Sequence, residues 1–152
     1  HPVRMNLWEV PAGLLDIDGE DPLVAAQREL AEEADLQAKT WNALTDYFSS
    51  PGATSEAGRV YLARDLSELP AEERSERTEE EAEMTYRWVP LTEAVQLVLG
   101  GKVHNALAIQ AVLATYAAAQ NNFEGLRKAE DGWEFHPYMG KRREKPQSFR
   151  NH

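Results

Sequence analysis

The segment Arg28-Glu29-Leu30-Ala31-Glu32-Glu33 constrains the fold of this chain more than any other stretch, because it carries three carboxylates and one guanidinium in a row. On a helix, positions three and four apart are neighbours, so Glu29, Glu32 and Glu33 would gather near one face. Carboxylates held this close repel each other unless a cation lies among them. A hard divalent ion such as Mg²⁺, which prefers oxygen ligands, is the expected cation.

The residues around this segment predict a helix that begins at Asp21-Pro22 and ends near Asp35. Asp is a favourable N-cap, and Pro suits the first helical position. Asp35 tolerates the left-handed conformation at a helix end better than most non-glycine residues. Apolar residues at helical spacing would bury the opposite face, namely Leu23, Ala26, Leu30 and Ala34.

Strands and helices alternate along the rest of the chain. The composition predicts strands over 7–11, 41–48, 59–63 and 84–89, and helices that start at Leu91, with Thr92 as its cap, and span 105–119. Segment 67–83 is so charged that it predicts a solvated loop. We expect one folded domain over 1–120 and a polar extension over 121–152.

Composition excludes several function classes. The net charge of -10 argues against a nucleic-acid or anionic-membrane partner, and the absence of cysteine rules out thiolate chemistry. No apolar run approaches the roughly 20 residues of a membrane span. The chain opens at His1 without an initiator methionine, and we expect a longer polypeptide whose N-terminal strands precede it.

The carboxylate cluster can be interpreted in two ways. Glu29 and Glu33 are one helical turn apart and can reach one ion, Glu32 can hold a second ion, and Arg28 can pair with Glu32. Cations held there could grip a diphosphate and activate water for hydrolysis. A solvated helix face is the alternative, since such charge runs are common.

The longer pattern favours the metal site. Gly13, Glu20, Arg28-Glu29-Leu30, Glu32-Glu33 and Leu36 resemble the Nudix box, usually written G-x5-E-x7-R-E-U-x-E-E-x-G-U with U a bulky aliphatic residue. Two departures are present: one extra residue precedes Glu20, and Asp35 replaces the late glycine.

The Nudix resemblance implies an α/β/α sandwich around a mixed sheet and dependence on Mg²⁺ or Mn²⁺. It implies that Glu29, Glu32, Glu33 and the backbone carbonyl of Ala12 bind metal, and that Arg28 orients a glutamate. Glu20 is expected to have a supporting structural role.

Two loops predict the substrate and the general base. Ser50-Pro51-Gly52-Ala53-Thr54-Ser55-Glu56 resembles the proline-bearing loop of Nudix ADP-ribose pyrophosphatases, and Glu56 could accept hydrogen bonds from ribose hydroxyls. An ordinary turn with an exposed glutamate is the alternative. That subfamily takes its general base from a mobile acidic loop, and we expect Glu81 in this role with Glu80 and Glu83 as rivals. Solvated glutamates are the alternative here.

The resemblance thus implies a Nudix hydrolase that cleaves ADP-ribose to AMP and ribose 5-phosphate, and we expect it to act as a cytoplasmic homodimer on a small-molecule nucleoside diphosphate. The rivals are a Nudix hydrolase of a nucleotide sugar or dinucleotide, and a non-catalytic module that binds an ADP-ribose-like ligand.

Overall fold

The fold is known from a computed structural model that describes residues 5–17, 19–75 and 85–136. The elements in these ranges follow the order helix, two strands, two helices and a short strand, with one turn of 3-10 helix at Ala71–Glu73. The helices are α1 (Pro22–Ala34), α2 (Leu91–Leu99) and α3 (Ala106–Gln120). The strands are β1 (Leu36–Phe48), β2 (Ala57–Glu68) and β3 (Arg127–Lys128). No helix in these ranges has the length and apolar character needed to cross a membrane.

A long hairpin dominates the sheet. β1 pairs with β2 in antiparallel fashion from Leu36 opposite Glu68 to Phe48 opposite Ala57. β3 pairs with the other edge of β1, so the strand order is β2-β1-β3. The strands predicted over 41–48 and 59–63 are confirmed, but both continue further, because pairing across the hairpin extends them beyond their apolar centres.

A β-bulge at Leu44 interrupts the hairpin. Ala43 lies opposite Tyr61, but Thr45 lies opposite the adjacent residue Val60, so Leu44 is the extra residue on β1. Side chains alternate along a strand, and one extra residue shifts this alternation for everything that follows it. Asp46, opposite Arg59, therefore shares the face of Ala43 and Tyr61.

Helices cover both faces of the sheet. On the first face, Gln27 and Ala31 of α1 lie beside Trp41, whose ring contacts Tyr61 at 6.4 Å between centroids. On the second face, the Gln110 amide of α3 donates to the Thr45 hydroxyl at 2.8 Å. α2 packs against α3. The expected α/β/α layering is confirmed, with antiparallel rather than mixed pairing among the described strands.

α1 has the ends that its sequence predicts. The Asp21 carboxylate accepts the backbone N–H of Leu23 at 2.8 Å, and Pro22 occupies the first turn. Asp35 has φ 54° and ψ 33°, the left-handed conformation, and its N–H donates to Ala31 at 3.1 Å. Ala25 and Leu30 are its buried residues, whereas Leu23, Ala26 and Ala34 are half-buried.

Two predicted strands and one cap are wrong. Residues 7–11 and 85–89 do not belong to the sheet, because strand-like composition does not supply a neighbour with which to pair. Residue 84 lies outside the described ranges. Pro90 rather than Thr92 is the N-cap of α2, and Thr92 lies in its first turn. α3 is capped by the Asn105 side chain, which accepts the Ala108 N–H at 2.9 Å.

Candidate functional site

Arg28 is the centre of the acidic cluster on α1. Its Nη1 donates to the carboxylates of Glu29 at 2.8 Å and Glu32 at 3.0 Å. Its Nε and Nη2 donate to both oxygens of Glu20 at 3.2 and 3.3 Å. The predicted contact between Arg28 and Glu32 is therefore present, and one guanidinium holds three carboxylates.

Glu20 is the most enclosed member of this cluster, with 9% of its side chain exposed. It follows a turn in which its N–H donates to the Ile17 carbonyl at 3.1 Å and Gly19 has φ +80°, a conformation that suits glycine. The loop accommodates its extra residue ahead of Glu20, and Glu20 still reaches Arg28. Hydrogen bonding to Glu20 is the main influence that raises the pKa of Arg28, against the opposing effect of burial, and Glu32 adds to it.

The Ala12-Gly13 turn lies against two glutamates of α1. The Ala12 N–H donates to Glu33 Oε2 at 3.0 Å. At Gly13 a Cβ atom would overlap the Glu29 side chain in its present rotamer, so the backbone lies directly against that carboxylate. The structure thus brings Glu29 and Glu33, one helical turn apart, to the backbone of Ala12 and Gly13, two residues that the Nudix resemblance singles out.

The donor types at this turn suit a hard divalent cation, since carboxylate and carbonyl oxygens are its preferred ligands. Within the described ranges, however, no three acidic or histidine side chains are already arranged to hold a metal ion. The hydrogen bonds explain this, because Glu29 and Glu32 are directed at Arg28 while Glu33 is directed at Ala12. The residues therefore fit a metal in kind and in backbone placement, with their carboxylates engaged by other partners.

The predicted substrate loop connects β1 to β2. The Ser50 carbonyl accepts the N–H groups of Ala53 and Thr54 at 2.8 and 2.9 Å, so the Pro51-Gly52 turn is tight as expected. The loop is closed at its base, where the Ser49 N–H donates to the Glu56 carbonyl at 3.1 Å. Pro51, Gly52 and Glu56 are exposed.

Burial and, secondarily, the negative charge of Glu56 raise the pKa of Tyr47, so Glu56 lies within electrostatic reach of the sheet. The proposed contact of Glu56 with substrate stays a prediction. The candidate bases Glu80, Glu81 and Glu83 lie outside the described residues.

A second charged cluster was missed by sequence reasoning. Asp46 accepts Arg59 Nε at 2.6 Å and Arg127 Nη1 at 2.7 Å. Pairing of Asp46 with Arg59 would follow from the hairpin register, had the bulge at Leu44 been known. Arg127 is 81 residues from Asp46, and no local pattern signals that contact.

A family model supports this architecture. The NUDIX domain model matches residues 1–111, which include α1, the hairpin and the Ala12-Gly13 turn. The match ends within α3, ahead of β3.

Three relatives are similar to this chain over most of its length. An ADP-ribose pyrophosphatase of Mycobacterium tuberculosis is 45% identical over 88% of this chain and 62% of its own. An ADP-ribose pyrophosphatase of Bacillus subtilis is 37% identical over 73% of this chain and 58% of its own. A methanol dehydrogenase activator of Bacillus methanolicus is 31% identical over the same shares. The chain thus spans about three fifths of the length of these relatives.

Proposed function

The chain belongs to the Nudix family, and we propose that it is a metal-dependent hydrolase that cleaves ADP-ribose to AMP and ribose 5-phosphate. The observation that carries this proposal is the convergence of Glu29 and Glu33 on the Ala12-Gly13 turn beside Arg28. The choice of ADP-ribose is supported by the two relatives that are ADP-ribose pyrophosphatases and by the loop from Ser50 to Glu56.

Three glutamates and one carbonyl would hold the metal, namely Glu29, Glu32, Glu33 and Ala12. Mg²⁺ or Mn²⁺ bound there would neutralise charge on the diphosphate and lower the pKa of the attacking water. Arg28 contacts Glu29 and Glu32 at 2.8 and 3.0 Å, which restricts the directions in which these two carboxylates can point.

The reaction needs one base from this chain. The oxygen of water bonds to one phosphorus, the bond from that phosphorus to the bridging oxygen breaks, and this oxygen leaves with the other phosphate. Glu81 accepts the proton of the water, and Glu80 and Glu83 are the rival acceptors. Glu56 accepts hydrogen bonds from ribose hydroxyls, and the turn at Pro51-Gly52 presents it to the substrate.

A single assay tests this function. The purified chain is incubated with ADP-ribose and Mg²⁺, and AMP is resolved by chromatography. We expect turnover in the parent and its collapse in Glu33→Gln, with Glu72→Gln, an exposed acidic residue in the 3-10 turn, as the matched control. ADP-ribose that is bound but not cleaved would identify a sensor. Cleavage of a different nucleoside diphosphate, without cleavage of ADP-ribose, would refute the proposal that ADP-ribose is the substrate.

The base is tested separately with Glu81→Gln. We expect the rate to fall by about 10²-fold or more, the scale of positioned proton transfer. Glu80→Gln and Glu83→Gln are the matched comparisons. If Glu81→Gln keeps the parent rate and one of these two loses it, the residue substituted in that variant is the general base.

We further propose a cytoplasmic homodimer, which rests on the family resemblance. Sedimentation of the purified protein tests the dimer, and fractionation of cells tests the compartment.

A further inference from the structure

The predicted substrate loop has few connections of its own. Its hydrogen bonds to other described residues join Ser49 to Glu56, Ser50 to Ala53 and Thr54, and Glu56 to the Thr54 hydroxyl, so they lie within the loop. The orientation of the loop is therefore fixed where it leaves the two strands. Asp46 lies in β1 just ahead of the loop, and Arg59 lies opposite it in β2.

Arg59 is the most enclosed charged group at this end of the hairpin, with 3% of its side chain exposed. Its guanidinium donates to both oxygens of Asp46 at 2.6 and 3.0 Å. It also donates to the carbonyls of Asp131 at 2.6 Å and Gly132 at 3.2 Å. The ring of Trp133 lies 5.1 Å from it, within the range of a cation–π contact. One side chain thus joins the base of the loop to residues 131–133.

Arg127 closes the same network from the other edge of the sheet. Its Nη1 donates to Asp46 at 2.7 Å, and β3, to which it belongs, pairs with Asn42 and Ala43. The Asn42 amide also donates to the Arg127 carbonyl at 2.9 Å. Asp46 is therefore held by one arginine from β2 and by another from the segment that follows α3.

The same segment reaches the helix that bears the acidic cluster. Residues 129–133 line a hollow of about 170 Å³ together with Asp21, the N-cap of α1, with Pro22, its first residue, and with Arg59 and Tyr61 of β2. The segment after α3, residues 121–136, thus shares a hollow with the start of α1 and is hydrogen-bonded to Arg59 and Asp46 at the base of the predicted substrate loop.

We propose that Asp46 is a positioning residue for the substrate loop, and that Arg127 acts through it to couple residues 121–136 to substrate affinity. This proposal rests on the proposed function for its effect on substrate. Asp46 touches neither substrate nor metal in this scheme. It fixes the direction in which the hairpin presents Pro51, Gly52 and Glu56, so its loss weakens binding while the acidic cluster on α1 keeps its geometry.

The test compares steady-state kinetics of variants on ADP-ribose. We expect Arg127→Ala to raise KM about 5-fold, the equivalent of about 1 kcal/mol. We expect kcat to stay within about two-fold, because an interaction that acts on binding alone leaves the bound reaction unchanged. Arg127→Lys, which keeps a donor for Asp46, should restore part of the affinity.

Two further variants separate position from charge. Arg74→Ala removes the same charge from an exposed pair with Glu68 at 3.1 Å, and its KM should stay at the parent value. Asp46→Asn removes a negative charge, which by itself favours an anionic substrate. A rise in KM in Asp46→Asn as well as in Arg127→Ala therefore indicates positioning, whereas a fall indicates long-range electrostatics and overturns the proposal.

Hydrogen exchange tests the coupling without any activity. We expect the amides of Ser49, Ala53 and Thr54 to exchange faster in Arg127→Ala than in the parent, while amides of α1 keep their rates. Equal acceleration everywhere would mean that the network only stabilises the fold, and unchanged loop exchange would mean that it does not reach the loop. Either result overturns the proposal, as does a loop that loosens while KM stays constant.

If the parent does not cleave ADP-ribose, the proposed function fails, and the exchange of the loop amides alone then decides whether Arg127 positions the loop.

Discussion

Two charged clusters in this protein have opposite compositions. On α1, one arginine serves three carboxylates, since Arg28 contacts Glu20, Glu29 and Glu32. At the end of the hairpin, one carboxylate serves two arginines, since Asp46 contacts Arg59 and Arg127. Arg59 also donates to the backbone carbonyls of Asp131 and Gly132, so the partners of this cluster come from the protein itself.

This difference in charge indicates which of the two clusters would bind an external cation. The cluster on α1 keeps an excess of negative charge, and Glu33 adds a further carboxylate close by. A bound cation would offset this excess. The Asp46 cluster binds distant parts of the chain together, so we expect its loss to affect stability first.

The largest expected effect comes from breaking the second cluster. Asp46→Asn should lower the free energy of unfolding by about 3 kcal/mol, because Arg59 is left enclosed without its charged partner. Denaturant titration measures this. Glu68→Gln, which breaks only the exposed pair with Arg74, should cost about 0.5 kcal/mol or less. Equal losses of unfolding free energy in the two variants would show that the Asp46 cluster contributes no more than an exposed ion pair.

The stability that Asp46 contributes should depend on pH. Burial tends to raise the pKa of Asp46, but hydrogen bonds from Arg59 and Arg127 outweigh it, so the pKa lies below its ordinary value. The stability that Asp46 contributes is therefore present above the ordinary pKa of a carboxyl and lost as the pH falls through the lowered one. The gap in stability between the parent and Asp46→Asn should narrow on acidification.

The second effect is the response of the first cluster to metal. Mg²⁺ at about 100 times its Kd should raise the free energy of unfolding of the parent by about 2.7 kcal/mol. Glu33→Gln should lose this gain and Asp46→Asn should keep it, since only Glu33 belongs to the proposed cation site. Thermal unfolding with and without Mg²⁺ measures both. If neither Mg²⁺ nor Mn²⁺ changes the free energy of unfolding of the parent, the proposed metal site is contradicted.

A smaller effect is expected from Glu20. Glu20→Gln should lower kcat/KM on ADP-ribose by about 10-fold, the lower end of the range for residues that orient metal ligands. The reason is that Arg28 loses its bidentate partner and is free to move with Glu29 and Glu32. A normal rate in this variant would show that Arg28 is fixed without Glu20.

The smallest effect concerns the end of α1. Asp35→Gly should stabilise the protein by about 1 kcal/mol or less, because φ at this position is 54° and glycine adopts it without strain. Asp35→Ala should show no gain. Since the acidic cluster lies upstream, metal affinity should not change in either variant, and a change would link the helix end to the cluster.

Local signals explain what the sequence predicts well. Asp21, Pro22 and Asp35 define both ends of α1, and the i, i+4 spacing places Glu32 beside Arg28. These features depend only on neighbours in the chain. The fold of the long hairpin was also predictable in outline, because its apolar strands flank a turn.

Non-local contacts explain what it misses. The strand-like residues 7–11 and 85–89 lie outside the sheet, and β3 is formed by Arg127 and Lys128, which show no strand composition. These two residues form a strand because they pair with Asn42 and Ala43 of β1. The composition of residues 127 and 128 alone therefore does not predict the strand. The Asp46 network is of the same kind, and the roles of Glu80, Glu81 and Glu83 stay predictions.

The bulge at Leu44 has a consequence for sequence comparison and for engineering. Because strand side chains alternate, the faces of β1 follow odd and even positions, and Leu44 reverses that parity just ahead of Asp46. Deleting Leu44 would leave Asp46 opposite Arg59, because Thr45 would then follow Ala43 in a regular ladder. If Leu44 were instead paired with Val60, without a bulge, Asp46 would turn towards α3 and away from Arg59. In this strand, assigning faces by odd and even positions straight through Leu44 therefore places Asp46 on the wrong side of the sheet.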